Sequence, residues 1–242
     1  MKKLLMYAGF FAVLIIGFWL ALFKDYDFSA SKLAVINADV KDFSFINQNG
    51  DTITQSKIED KVYVAEYFFT TCKGICPMMN ANMRRVFDAY KDEENFMILS
   101  HTCMPETDSI AVLKAYEQKM LTSNVVKNKD GSYSLEETQN ITVPKIENKN
   151  WLFLTGSKEQ LYSMARQSYN IDNNKPDSTQ NIADQFIHTQ FFALLDKQRR
   201  VRGIYDGLKE EEIQKLIIDI KGLLKEKITT KRFMNGFTNN PG

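Results

Sequence analysis

Residues 61–79 read KVYVAEYFFTTCKGICPMM. The first nine are mostly β-branched, aromatic or apolar on both alternating faces, which is the pattern of a strand buried in the middle of a sheet. Pro77 suits the first turn of a helix, where its missing N–H leaves no bond unmade. Met79, Met83, Val86 and Phe87 follow at helical spacing, so a helix is expected from Met78 to about Tyr90. The stretch is thus a strand, a short loop and a helix, with Cys72 and Cys76 at the junction where α/β sheets place their chemistry.

Working downstream, NFMILSH at 95–101 is a second strand of the buried type. Asp108 or Ser109 can cap a helix carrying Ile110, Val112, Leu113, Tyr116 and Met120. Residues 122–150 lack a sustained apolar period and read as a surface insertion with a small hairpin of its own. WLFLT at 151–155 is a strand, and Ser157 opens a helix after it. A polar loop over 170–184 leads to two strands, TQFFALLD and VRGIY, joined by the basic turn KQRRVR at 197–202. A final helix over 209–225 sets Ile213, Leu216, Ile217, Ile220 and Leu224 on one face. Upstream, DFSFINQNGDTIT at 42–54 carries the hairpin signal Asn49-Gly50. This α/β order, with its βαβ opening and its closing hairpin and helix, predicts a thioredoxin-like fold with an N-terminal β-hairpin and a surface insertion.

The N-terminus adds a different element. LLMYAGFFAVLIIGFWLALF, residues 4–23, holds twenty residues with no charge, amide or proline. As a helix it spans about 30 Å, the hydrocarbon thickness of a bilayer. Lys2 and Lys3 precede it and the charges of Lys24, Asp25 and Asp27 roughly cancel after it, so residues 1–3 are expected in the cytoplasm. The stretch exceeds the core of a cleaved signal and no small-x-small site follows, which favours an uncleaved single transmembrane helix. The expected layout is anchor 4–23, tether 24–36, folded domain 37–226 and loose tail 227–242. Its address is then the inner membrane, with the domain in the periplasm. Over the whole chain 31 Lys and Arg face 30 Asp and Glu, which gives no reason to expect nucleic acid as partner.

Three cysteines, Cys72, Cys76 and Cys103, are too few for a disulfide-stapled scaffold. A Cys-x3-Cys pair at a helix mouth can bring both sulfurs to one point, and the helix N-terminus favours their thiolates. Spacing alone leaves disulfide exchange and soft-metal binding both open. Two thiolates leave a copper or zinc ion short of ligands, so a metal would need a third donor. The chain has two histidines. His188 stands where the polar loop enters a strand, a place from which it can face the junction, but by itself it reads first as a strand-start histidine bonded to a loop carbonyl. His101 reads as a structural histidine, and at most as a support to the site. Cys103 and the run Met78, Met79, Met83 read as packing residues. The basic turn reads as a solvated hairpin tip.

YFFTTCKGICPMM, with its three-residue gap and following proline, resembles the cysteine motif of the Sco/SenC family. HTCMPETDS at 101–109, WLFLTGSKEQLYSMARQSY at 151–169, and HTQFFALLD with GIYDG resemble that family's later segments. The resemblance covers about residues 40–225. It departs at Lys73, where proline is frequent, and at Met104, where aspartate is common, so a role for that aspartate does not carry over. It implies a membrane-anchored, thioredoxin-like copper chaperone that assists assembly of the copper centre of cytochrome c oxidase by metal delivery or thiol reduction. The implied site is Cys72, Cys76 and His188, holding Cu(I) and, in many members, Cu(II), with Cys72 and Cys76 also a redox-active pair. The implied partners are a copper-accepting oxidase subunit and a thiol reductant or upstream copper donor. A thiol-disulfide oxidoreductase or a redox or copper sensor of the cell envelope is the alternative.

Overall fold

The computed structural model describes residues 2–23, 33–137, 148–172 and 189–226. Helix α1 (Lys2–Phe23) precedes the hairpin β1 (Ser44–Asn47) and β2 (Thr52–Thr54). Then come β3 (Val62–Phe68), α2 (Cys76–Tyr90), β4 (Phe96–Thr102) and α3 (Ile110–Thr122). The hairpin β5 (Asn124–Lys127) and β6 (Tyr133–Glu136) is followed by β7 (Trp151–Thr155) and α4 (Lys158–Ser163), which continues as a π turn over Met164–Ser168. β8 (Phe191–Leu195), β9 (Val201–Asp206) and α5 (Glu210–Lys225) close the domain.

Seven strands form one sheet in the order β2-β1-β7-β4-β3-β8-β9, with β3, β4 and β7 parallel and β1 and β8 antiparallel to their neighbours in it. This is the thioredoxin-like arrangement expected from the sequence. β3 lies near its centre, and all seven of its residues are buried. The period of two divides them: Val62, Val64 and Phe68 meet α2, α3 and α5 on one face, while Tyr63, Ala65 and Tyr67 meet α4 and the chain around Phe45 on the other. Met79, Met83, Val86 and Phe87 of α2 join the first of these clusters, as their helical spacing predicts. Each large apolar side chain so buried stabilises the domain by about 1.5–3 kcal/mol. Met78 is only partly covered.

The turns follow their residues. Gly50 takes φ +86° in the β1–β2 turn, and the Asn47 side chain accepts from the Asn49 and Asp51 amides. The 122–150 insertion does carry its own hairpin, β5–β6, and docks on α2 through Arg85. The Arg85 guanidinium sits 3.7 Å from the Tyr133 ring centroid and pairs with both Glu210 oxygens at 2.6 and 2.7 Å.

Two features differ from the sequence expectation. The basic turn is not a bare solvated tip: Arg199 pairs with Asp42 at 2.6 Å, Arg200 with Asp196 at 2.7 Å, and Arg202 is buried between Asp196 and Glu226. Lys197 donates to the Leu224 carbonyl at the end of α5. Asp42 and Glu226 lie far from the turn in sequence, so no local pattern announced them, whereas Asp196 adjoins it. The end of the expected tether is also engaged, because Arg202 donates twice to the Leu33 carbonyl and the Ile36 amide donates to Val201. Helix α1 is apolar on every side, and Lys3–Ala21 has a mean hydropathy of 2.3, long and apolar enough to cross a membrane. The remainder of the tether and the 227–242 tail lie outside the described residues.

Candidate dithiol and metal site

The centre of the sheet delivers its chemistry at the carboxyl end of β3. The chain leaves the sheet at Phe68, turns so that the Cys72 amide donates to the Phe69 carbonyl at 3.2 Å, and re-enters order at Cys76, the first residue of α2. Pro77 occupies the first turn, as its fixed φ favours. Cys72 is partly exposed and Cys76 is buried, 5% accessible, and the two lie close enough for the Cys72 sulfur to act on the Cys76 thiol. They share a cavity of about 280 Å³ whose wall also includes Tyr67, Phe69, Cys103 and Thr189.

The electrostatics are unequal along this pair. Burial pushes the Cys76 thiol well above the ordinary range, the neighbouring Cys72 sulfur adds to this, and a contact from the Phe69 backbone works the other way. The helix N-terminus therefore does not make Cys76 a ready thiolate, contrary to the expectation from spacing, because desolvation is the larger effect. Cys103 is also pushed up, first by burial and then by Cys76, and it packs among Tyr67, Leu99 and Tyr162 while closing the cavity floor.

The two histidines stand apart. His101 is fully buried on the α4 side of the sheet, stacked on Tyr67 at 5.0 Å and edge-on to Phe45 and Tyr169. Its Nδ1 lies 3.1 Å from the Leu99 carbonyl and 3.4 Å from that of Glu66, and burial lowers its pKa to about 4. It is a core histidine and does not line the cavity. His188 lies outside the described residues, so the expectation placed on it is neither met nor corrected by the geometry. Thr189, the next residue, is buried on the cavity wall and donates to the Ile171 carbonyl. Among the described residues no three His, Cys, Asp or Glu side chains are grouped closely enough to hold a metal ion.

Two acidic residues, Glu66 and Asp108, were not read from the sequence as neighbours of the cysteine pair. Glu66 is the one charge within an otherwise apolar strand, a signal that could have flagged it. Its side chain is 1% accessible on the α2 side of β3. Ser100 donates to Glu66 Oε1 at 2.5 Å, the Trp151 indole donates to Ser100 at 2.8 Å, and Glu66 Oε2 has no hydrogen-bond partner among the described residues. Burial outweighs the Ser100 bond and raises its pKa to about 8. Asp108, expected as a possible helix cap, instead accepts from Thr70 and Thr102, while Ser109 caps α3.

A buried sheet whose central strand ends in two adjacent sulfurs under an apolar wall defines a thioredoxin-like dithiol protein. Comparison with known proteins places it further. The SCO1/SenC family model matches residues 35–225, and the chain belongs to that family. It is 28% identical over 188 residues to the SCO1 protein homolog of Bacillus subtilis strain 168, spanning 77% of this chain and 83% of the relative. Among solved structures it resembles a SCO1/SenC family lipoprotein from Bacillus anthracis strain Ames, at 27% identity and a TM-score of 0.59 over 78% of this chain and 96% of that one. It also resembles BsSco, described as a member of the Sco family of cytochrome c oxidase assembly proteins with a disulfide switch. There the identity is 26% and the TM-score 0.59 over 81% of this chain and 98% of that one.

Proposed function

We propose that this protein is a membrane-anchored copper chaperone that carries copper on Cys72, Cys76 and His188 and serves assembly of the copper centre of cytochrome c oxidase. The observation that carries the reading is the pair of adjacent sulfurs on a cavity wall shared with Thr189, the residue joined to His188. Two sulfurs in an apolar pocket suit Cu(I), and an imidazole is acceptable to both Cu(I) and Cu(II). The ligands must lose protons to bind, so the buried Cys76 thiol makes loading pH-dependent. Three protein donors leave a position through which an acceptor subunit can take the metal.

In this reading α1 spans the inner membrane and the domain faces the periplasm, where an oxidase subunit is the acceptor and an upstream donor or a thiol reductant recharges the pair. Family membership and the described role of BsSco support the oxidase assignment. Deleting the gene should lower oxidase activity, and added copper should restore part of it. Unchanged oxidase activity in the deletion strain would sink the assignment.

One observation favours a second reading, disulfide exchange. The more exposed Cys72 is placed to attack a partner's disulfide and the buried Cys76 to resolve the mixed species, as in dithiol exchange. Copper-independent turnover of a disulfide substrate would favour this task over metal delivery.

A further inference from the structure

The turn after β4 is tied to the cysteine loop through one carboxylate. Ser109 accepts from the Val112 amide and so caps α3, which leaves Asp108 free for other donors. Asp108 is 1% accessible, and its carboxylate receives three bonds. The Thr70 amide donates at 3.3 Å and the Thr70 hydroxyl at 2.6 Å from the loop, while the Thr102 hydroxyl donates from the end of β4. Hydrogen bonds to an ionised acceptor are the strong kind, and a buried carboxylate must find its donors within the protein.

Thr70 stands two residues before Cys72. From Thr71 to Ile75 the loop is largely exposed, and among the described residues no hydrogen bond from its side chains ties it to the domain. Cys76 is fixed independently, as the first residue of α2. The Cys72 amide's bond to the Phe69 carbonyl closes a local turn, and the Thr70–Asp108 tie anchors that turn to the β4–α3 turn, so it fixes the near end of the segment that carries Cys72 against the rest of the domain.

We propose that Asp108 is a positioning residue for the dithiol: by holding Thr70 against the β4–α3 turn it keeps the Cys72 sulfur beside that of Cys76 and so sets the dithiol–disulfide equilibrium. A disulfide needs its two Cβ atoms within about 3.5–4.5 Å, a narrow geometry that a loose loop visits less often. Releasing the tie lowers the effective concentration of one sulfur at the other. The inference rests on the reading of Cys72 and Cys76 as a reactive pair.

The test equilibrates the full-length protein in detergent micelles with reduced and oxidised glutathione. Two thiols of the protein become one disulfide as one oxidised glutathione takes up the two electrons and two protons and leaves as two reduced glutathiones. Thr70→Val and Asp108→Asn should lower the equilibrium constant for the disulfide about five- to tenfold, a tenfold loss being about 30 mV toward a more oxidising potential. Thr70→Ser, which keeps the hydroxyl, should restore it. Thr102→Val removes a donor to the same carboxylate without releasing the loop, and should leave the potential within about twofold of wild type. Wild-type potentials in both Thr70→Val and Asp108→Asn would overturn the proposal, as would an equal shift in Thr102→Val, which would mark general damage. Should Asp108→Asn fail to fold, Thr70→Val and Thr70→Ser decide alone. If the wild-type protein forms no Cys72–Cys76 disulfide at any glutathione ratio, the reactive-pair reading fails, and this proposal with it.

Discussion

Replacing Glu66 with glutamine should change how stability depends on pH, and the structure fixes both sign and size. The carboxyl is buried beside Ser100 with one oxygen unpartnered, and its pKa is raised from 4.5 to about 8. A carboxyl with a raised folded-state pKa holds its proton while the unfolded chain has lost it. Its contribution is thus fully present below pH 4.5 and is lost as pH rises through about 8. Each pH unit in that window removes about 1.4 kcal/mol, or about 5 kcal/mol across it.

His101 works in the opposite sense. Its pKa falls from 6.5 to about 4, so its contribution is present above 6.5 and lost as pH falls toward 4. The two slopes cancel between pH 4.5 and 6.5 and leave Glu66 unopposed by His101 above that. Chemical unfolding followed by the fluorescence of the buried Trp151, in a Trp19→Phe background, measures the effect. The stability difference between Glu66→Gln and its parent should grow by about 1.4 kcal/mol per unit from pH 5 to 8 in favour of the variant. Parallel pH profiles would refute the reasoning, because they would mean that Glu66 is ionised in the folded protein.

Three further outcomes follow from the same structure. Replacing His101 with phenylalanine, which fits the aromatic stack, should abolish the loss of stability between pH 6.5 and 4 that the neutral imidazole imposes, read from the same unfolding curves. Arg202→Ala should destabilise the domain by about 1.5–3 kcal/mol in denaturant titrations, because it removes buried charged bonds to Asp196 and Glu226 and two bonds to the Leu33 carbonyl while Arg200 still pairs with Asp196. Because the KQRRVR turn is matched by Asp42, Asp196 and Glu226, capture of a partner should be nearly insensitive to salt; a steep loss between low and high salt would show that the turn makes partner contacts instead.

Where hydrophobic period and local chemistry agree, the sequence was enough. The mostly apolar faces of KVYVAEYFF marked the central strand, Asn49-Gly50 marked the first hairpin, and Pro77 with Met79 and Met83 marked the helix that carries Cys76. The placement of Cys72 and Cys76 at one junction was legible for the same reason. What escaped depends on contacts between distant residues. Asp108 meets Thr70 across 38 positions, and the partners of the basic turn lie as far away as Asp42. The Cys76 thiol shows the other limit: spacing suggests a helix-activated thiolate, but burial, a property of the finished fold, sets the opposite direction. Glu66 lay between these cases, visible as a lone charge in an apolar strand but silent about the Ser100–Trp151 chain that holds it.

The central claim concerns the atoms that hold the metal, and X-ray absorption at the copper edge of the loaded full-length protein tests it most directly. The account predicts about one copper per chain with two sulfur neighbours and one imidazole nitrogen, and loss of the imidazole signal in His188→Ala. A spectrum unchanged in His188→Ala, or a third sulfur from Cys103 in place of the nitrogen, would contradict it.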